Sequence, residues 1–235
     1  MDKQNKMVIH LEKYKKNDIQ RIARHNLRLN QYYQNENIDL TKSNNNYYFI
    51  KPHDDDLKKA ILNSVEQKVH GRVTKQSVYM AECIISAGKD FFSDLSEVEE
   101  KRFYKLSLEY LAKRFGRDNI HLAVVHRDEI GGNSHMHIDI AMITKDGRLC
   151  ARDLLSRANL IDIQSELPTF LAENGFDIVR GEKGSKATHM KMSDFKREAD
   201  KQKKALAKEY NDLVDKYNKL VNEVEQIEKN IIIER

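Results

Sequence analysis

The chain reads HLAVVHRDEIGGNSHMHIDIAMI over residues 121–143. Two apolar runs, 121–127 and 135–143, flank a loop that contains Gly-Gly-Asn-Ser, a combination typical of turns. This pattern predicts a β-hairpin and is the strongest strand-pairing signal in the sequence. Because residues two apart in a strand share a face, we expect Met136, Ile138 and Ile140 to point into the core.

The elements around this hairpin predict an α+β fold. Strands are expected at residues 7–11, 47–50 and 78–86, and helices at about 18–33, 54–69, 96–115 and 153–174. Strands and helices do not alternate one by one, which favours a mainly antiparallel sheet with flanking helices over a parallel α/β sheet. The two cysteines are far apart, and no apolar run is long enough for a signal peptide or a membrane span, so we expect a cytoplasmic protein.

Three histidines in the hairpin carry the strongest functional signal. His135 and His137 share one face of their strand, and a symmetric hairpin places His126 directly opposite His135. The three imidazoles would then bind a metal ion with open positions, as catalytic sites do. Glu129 in the loop can serve as a fourth ligand, as a partner of a ligand or as a base. Ligand type alone allows Mn, Zn, Fe, Co or Ni, and histidines that simply face solvent are the alternative.

A second group of polar residues falls at helical spacing near the N-terminus. Arg21, His25, Arg28 and Tyr32 follow steps of four, three and four residues, which predicts one polar stripe on the first long helix. Cations on both sides of His25 would keep its imidazole neutral and nucleophilic, and the stripe could grip phosphates. A solvent-exposed histidine on a basic helix is the alternative.

The net charge of +4 is unevenly distributed. Residues 1–28 carry +5 and residues 180–208 carry +6, so the remainder carries −7. Two basic segments on an acidic body indicate an anionic partner, most often nucleic acid, although a solvated charged surface is also possible. The expected DNA-contacting residues are Lys13, Lys15, Lys16, Arg21, Arg24, Lys196 and Arg197.

A heptad pattern begins after residue 194. Leucine or isoleucine recurs every seven residues from Leu206 to Ile227, and a tyrosine, valine or isoleucine follows four residues after each. This 4-3 repeat predicts a coiled-coil helix that forms a homodimer. An amphipathic helix packed on its own domain is the alternative. We therefore divide the chain into a domain at 1–193 and the start of a coiled coil at 194–235.

Three stretches resemble a known family, the Mob/Pre (MobV) plasmid mobilisation relaxases. Residues 24–28 resemble their HxxR element, Asn37-Ile38-Asp39-Leu40 their second element, and residues 126–137 their HxDExxPHxH element. The similarity covers most of residues 1–200 with the elements in the family's order. One departure is a loop two residues longer before His135, with glycines where the family has a proline, which affects the reach of Glu129.

The resemblance implies a HUH-type endonuclease fold and a defined chemistry. Such relaxases bind a hairpin and the adjoining single strand at a plasmid transfer origin, nick one strand and stay attached to its 5′ phosphate until they rejoin it. It assigns the nucleophile to His25 and the metal, Mn²⁺ first and Mg²⁺ second, to His126, His135 and His137. Arg28 would add a positive contact, and Asp39 would orient the imidazole.

Other functions stay open at this point. Tyrosine is the nucleophile in other relaxases, and the candidates here are Tyr32, Tyr33, Tyr47 and Tyr48. A replication initiator of the HUH superfamily, a three-histidine hydrolase without a covalent intermediate, and a non-catalytic DNA-binding protein with an oligomerisation helix are the alternatives. Since family members usually continue into a longer coiled coil, we also expect the natural chain to extend past Arg235.

Overall fold

The computed structural model describes residues 5–33, 35–130, 133–181 and 192–233. The chain divides into two compact units, Met1–Gly184 and Ser185–Arg235. Where the structure describes it, the second unit consists of one helix, and the sheet with His126, His135 and His137 belongs to the first. No helix in the part of the chain that the structure describes is long and apolar enough to cross a membrane.

The first unit is built on one five-stranded sheet. Its strands are β1 (Met7–Lys15), β2 (Tyr47–Ile50), β3 (Val78–Ala87), β4 (Ile120–His126) and β5 (His135–Ala141). They lie in the order β1-β3-β5-β4-β2, and all four neighbouring pairs are antiparallel. The predicted α+β class and antiparallel sheet are therefore confirmed, and the predicted hairpin forms the two strands β4 and β5.

Helices cover both faces of this sheet. They are α1 (Ile19–Asn26), α2 (Leu57–Lys68), α3 (Lys89–Ser93), α4 (Glu97–Phe115), α5 (Ala151–Leu154) and α6 (Arg157–Glu173). One apolar cluster joins α4 and α6 to the sheet face that carries Met136, Ile138 and Ile140. A second cluster joins α1 and α2 to the opposite face. The alternation predicted for β5 thus separates a wholly apolar face from one that carries histidines.

The first helix is shorter than predicted. It ends at Asn26 rather than near Tyr33, and Arg28 adopts a left-handed conformation with φ 53°. The predicted helical stripe from Arg21 to Tyr32 is therefore wrong, because its last two members lie beyond the helix. The spacing of nearby residues does not predict where this helix ends, because Arg28 is held in its left-handed conformation by hydrogen bonds to Asp128, a hundred residues away.

The second unit contains helix α7 (Met192–Ile233), 42 residues long. Its heptad positions Leu206, Tyr210, Leu213, Tyr217 and Leu220 are each 60 to 67% exposed. The helix agrees with the heptad pattern, whereas its self-association stays a prediction. The boundary expected at 193/194 falls just inside the start of this helix.

Candidate active site

The β4–β5 register brings the three histidines together. His126 lies opposite His135, and Val124 lies opposite His137, so all three side chains leave the same face of the sheet. The ring centroids are separated by 5.4 Å for His126–His135, 4.7 Å for His126–His137 and 5.0 Å for His135–His137. Ligand nitrogens of His126 and His137 lie within 4.8 Å of each other, and so do those of His126 and His135, which suits a metal ion bound next to His126.

Hydrogen bonds orient two of these rings so that one nitrogen of each is free. His137 donates its Nδ1 proton to Glu82 Oε1 at 2.8 Å, and His126 donates from Nε2 to the carbonyl oxygen of Asn26 at 2.9 Å. The other nitrogens, His137 Nε2 and His126 Nδ1, are buried and have no partner among the described residues. Buried polar atoms are normally paired, so these lone pairs fit a metal ion bound between them.

The third ring is held by the hairpin loop. His135 Nδ1 lies 3.0 Å from the carbonyl oxygen of Asn133, which leaves Nε2 available. That nitrogen is 3.8 Å from Glu129 Oε1, and the ligand atoms of His126, Glu129 and His135 all lie within 4.8 Å of one another. The longer loop therefore still allows Glu129 to reach the histidines, and the geometry suits a carboxylate ligand beside the imidazoles of His126 and His135.

His25 lies directly against this cluster. Its ring centroid is 5.6 Å from that of His137 and 5.9 Å from that of His126. Burial is the main cause that lowers the pKa of His25 to about 3, and electrostatic interaction with His137 and Arg28 lowers it further. A neutral imidazole is therefore maintained near neutral pH, as the sequence predicted. The main cause is burial rather than flanking cations, and Arg21 instead lies 6.0 Å from the ring of Tyr14.

Arg28 is nearly buried and is neutralised by two carboxylates. Its Nε and Nη2 donate to Asp128 at 2.9 and 2.8 Å, and Nη2 also donates to Glu129 Oε1 at 3.1 Å. Its Nη1 donates to the carbonyl oxygen of His25 at 3.0 Å and lies 3.4 Å from His25 Nε2. Arg28 thus supplies an N–H group beside the imidazole, although its charge is shared with acidic partners.

Asp128 is a central residue to which the sequence analysis assigned no function. Its carboxylate is fully buried and accepts hydrogen bonds from Arg28, from Ser43 Oγ at 2.7 Å and from Asn46 Nδ2 at 2.8 Å. Burial acts to raise the pKa of Asp128, but these hydrogen bonds outweigh it and lower the pKa to about 2. Asp128 thereby fixes the guanidinium that contacts His25.

The expectation that Asp39 orients the His25 imidazole is wrong. Its side chain accepts hydrogen bonds from Thr41, at 3.1 Å from the backbone nitrogen and 2.6 Å from Oγ1, and forms an ion pair with Lys42. An aspartate that begins a turn bonds the backbone two residues ahead, and this local bond prevails here. Only the backbone of Asp39 contributes to the site, because its nitrogen donates to the Asp128 carbonyl oxygen at 2.8 Å.

Glu82 and Asp139 were also missed, although the sequence contains a signal. Each is the only acidic or basic residue apart from histidine in its strand, and the two lie directly opposite each other in the β3–β5 pair. Both are buried. A single acidic residue in a buried strand indicates that its carboxylate has a hydrogen-bonding or charged partner in the folded protein, but the sequence alone does not identify that partner.

The four candidate tyrosines differ in their access to the histidines. Tyr33 is nearest, with its ring centroid 5.9 Å from that of His25, while its hydroxyl bonds the Arg24 carbonyl oxygen. Tyr32 is 88% exposed. Tyr47 packs on the α4 face, where its hydroxyl bonds a glutamate, and burial raises the pKa of both Tyr47 and Tyr48.

The expected DNA-contacting residues are exposed wherever the structure describes them. These are Lys13, Lys15, Lys16, Arg21 and Arg24. The side chains of Lys196 and Arg197 lie outside the described residues. These exposed cations lie on edge strand β1, in the turn that follows it and on helix α1.

Comparisons with known proteins place this geometry in context. A family model described as plasmid recombination enzyme (Mob_Pre) matches residues 3–197. Among curated relatives, plasmid recombination enzymes of Bacillus thuringiensis and Lactiplantibacillus plantarum are each 35% identical over 193 residues. The alignments cover 82% and 80% of this chain but 43% and 52% of those proteins, so the chain spans about half their length.

Solved structures show the same fold. The MobM relaxase domain, in a Mn-bound crystal structure with plasmid pMV158 oriT DNA, is 30% identical and superposes with a TM-score of 0.76. The match covers 82% of this chain and 98% of that one. A second structure of that domain, bound to a longer oriT DNA, gives a TM-score of 0.67 at 27% identity.

Proposed function

Because this chain belongs to the Mob/Pre family of plasmid recombination enzymes, we propose that it is a relaxase that nicks and rejoins one strand of plasmid DNA at a transfer origin. The observation that carries the proposal is the partly buried His25 imidazole packed against the histidine cluster, in which His126 and His137 each have a ring nitrogen without a partner among the described residues. Its site of action would be the cytoplasm, where plasmid DNA is found. MobM, which is similar in fold, was crystallised with oriT DNA, and that supports a DNA substrate.

The residues present fit a divalent metal, and Mn²⁺ is the ion we propose. His126, His135 and His137 would hold it, with Glu129 as a fourth ligand. When bound, such an ion neutralises charge that develops on the phosphate oxygens. The Mn-bound MobM structures support this choice of metal.

His25 is the proposed nucleophile. A neutral ring nitrogen attacks phosphorus, the P–N bond forms, and the P–O3′ bond breaks. The ring loses its N–H proton, and the departing 3′ oxygen takes up a proton to become a free hydroxyl. The 5′ phosphate stays on His25 as a phosphoramidate, and attack by a 3′ hydroxyl reverses the steps. Arg28 Nη1, beside His25 Nε2, is placed to donate a hydrogen bond to a phosphate oxygen during the exchange.

The remaining proposals concern DNA binding and assembly. The residues that would contact phosphates of the origin hairpin and the adjoining single strand are exposed cations: Lys13, Lys15, Lys16, Arg21 and Arg24. The apolar seam of α7 would pair with the same seam of a second chain, since its leucines and tyrosines are mostly exposed on a single helix.

A covalent-adduct assay tests the chemistry. The protein is incubated with Mn²⁺ and single-stranded DNA from the transfer origin of its own plasmid, and adducts are separated on a denaturing gel. We expect an adduct that is lost in acid and survives alkali, because protonation makes the imidazole a good leaving group. His25→Ala should abolish it and leave DNA affinity within about tenfold, since phosphate contacts dominate binding.

Controls distinguish the alternatives. The single changes Tyr32→Phe, Tyr33→Phe, Tyr47→Phe and Tyr48→Phe should each leave the adduct in place. An acid-stable adduct that one of them removes would assign the nucleophile to tyrosine, and an adduct that persists in His25→Ala would refute the proposal. Cleavage without any adduct would indicate a hydrolase, and binding without cleavage a DNA-binding protein. Chelation should stop nicking and added Mn²⁺ should restore it.

A further inference from the structure

Asn26 occupies an unusual position at the end of helix α1. It directly follows His25 and is fully buried. Its carbonyl oxygen accepts the Nε2 proton of His126 at 2.9 Å, and its side-chain nitrogen donates to Glu82 Oε1 at 2.8 Å and to Asp139 Oδ2 at 2.9 Å. One residue of the helix is thereby bonded to the three adjacent strands β3, β4 and β5.

These bonds connect Asn26 to two of the histidines. It bonds His126 directly through its backbone. It reaches His137 through Glu82, because Glu82 Oε1 accepts both the Asn26 amide and the His137 Nδ1 proton, each at 2.8 Å. The orientation of both rings therefore depends on where the end of α1 lies.

Packing alone does not explain an asparagine here. Ile19, Ile22 and Ala23 form the buried side of α1, and Asn26 continues that stripe one turn later. An apolar side chain would satisfy the packing without burying an amide, and Asn26 Oδ1 has no partner among the residues the structure describes. Burying an amide with one unsatisfied group costs stability, so the amide has a use other than packing.

We propose that Asn26 is a positioning residue that locks His25 in place against the metal-binding histidines. The inference rests on the proposed function, with His25 as nucleophile. Because Asn26 adjoins His25 and bonds Glu82 and His126, it fixes the distance between the attacking nitrogen and the rings of His126 and His137. The same bonds hold the free nitrogens of those two rings toward a common point.

The test compares Asn26→Ala with Asn119→Ala. Asn119 is a suitable control because its side-chain nitrogen also makes two hydrogen bonds, to the carbonyl oxygens of Phe115 and Ile143, just before the opposite end of β4. Both variants lose two hydrogen bonds donated by the amide nitrogen, and Asn119→Ala also loses the one that Lys68 Nζ donates to Asn119 Oδ1. Only Asn26→Ala loses bonds that connect to the histidines. Mn²⁺ affinity of the metal-free proteins is measured by titration calorimetry, and the single-turnover adduct rate is measured at saturating Mn²⁺ and DNA.

We expect Asn26→Ala to weaken Mn²⁺ binding by about tenfold or more, as loss of groups that orient ligands commonly does. Its adduct rate should stay at least about tenfold below wild type even at saturating Mn²⁺, because His25 is no longer fixed. Asn119→Ala should change both quantities by less than about twofold.

Two results would overturn the inference: an Asn26→Ala protein with wild-type Mn²⁺ affinity and adduct rate, or equal losses in the two variants. If Asn26→Ala does not fold, Asn26→Leu, which fills the space and needs no hydrogen bonds, is measured with the same expectations. If the wild-type protein forms no adduct, the proposed function fails, and the Mn²⁺ affinities alone still decide whether Asn26 positions the histidines.

Discussion

Substituting Asp128 by asparagine should destabilise the first unit through loss of one buried charge. The change keeps the shape of the side chain but removes the negative charge that pairs with Arg28, whose side chain is 5% exposed. The pKa of Asp128 is lowered from 3.8 to about 2 in the folded protein. At 1.36 kcal/mol per pKa unit, the ionised carboxylate contributes about 2 kcal/mol to folding.

The stabilisation by Asp128 should decrease as the pH is lowered. Because the folded pKa of Asp128 is below its unfolded value, the stabilisation is fully present above about pH 4 and is lost as the pH falls through about 2. The difference in unfolding free energy between wild type and Asp128→Asn should therefore be about 2 kcal/mol or more at pH 7. It should fall to about half of that at pH 3.

Urea unfolding of the metal-free protein measures both quantities. Near-ultraviolet circular dichroism is a suitable probe, since the chain has ten tyrosines and no tryptophan. The control is Asp162→Asn, because Asp162 is half exposed and pairs with Arg114 at 3.5 Å, so a loss below about 0.5 kcal/mol is expected. A loss that small for Asp128→Asn, or one that does not change between pH 7 and pH 3, would refute the reasoning.

Three further changes address other parts of the chain. Gly147→Ala should lower the unfolding free energy by more than about 1 kcal/mol in urea titrations, because Gly147 has φ 76° and a Cβ would lie 2.9 Å from a backbone oxygen. Replacing Lys13, Lys15 and Lys16 together by Ala should reduce the slope of log DNA affinity against log salt by about three at most, and an unchanged slope would locate the DNA elsewhere. Leu213→Glu should convert a dimer to a monomer in sedimentation experiments, since it introduces charge into the exposed seam; a wild-type monomer at high concentration would contradict the seam's proposed pairing.

The hairpin and its three histidines could be predicted because their relation is local. Strand alternation and a symmetric turn are enough to place His126, His135 and His137 on one face, and the observed register has His126 opposite His135. The antiparallel sheet followed from the same pattern. Glu129 was also within reach of prediction, since it lies in the connecting loop.

The rest of the site depends on contacts between distant segments. Asp128 accepts a hydrogen bond from Arg28, which is a hundred residues away in sequence. Glu82 in β3 accepts a hydrogen bond from His137 in β5. No periodicity encodes such pairs. The two wrong predictions differ in origin. The first helix ends early because distant contacts hold Arg28 in a left-handed turn, whereas Asp39 is drawn away from His25 by a local bond to Thr41, two residues ahead.

The strand order also determines when this protein can acquire its site during synthesis. β1 pairs with β3 and β2 pairs with β4, but β5, the last strand to be made, lies between the two pairs and joins them. Two-stranded ribbons are at best marginally stable in water, so a nascent chain that ends before residue 135 contains two weak halves and no completed sheet. Two of the three metal-binding histidines proposed above, His135 and His137, lie in that last strand. We therefore expect the protein to become able to bind a metal ion in one late step of synthesis, when β5 completes the sheet, and not gradually as the chain grows.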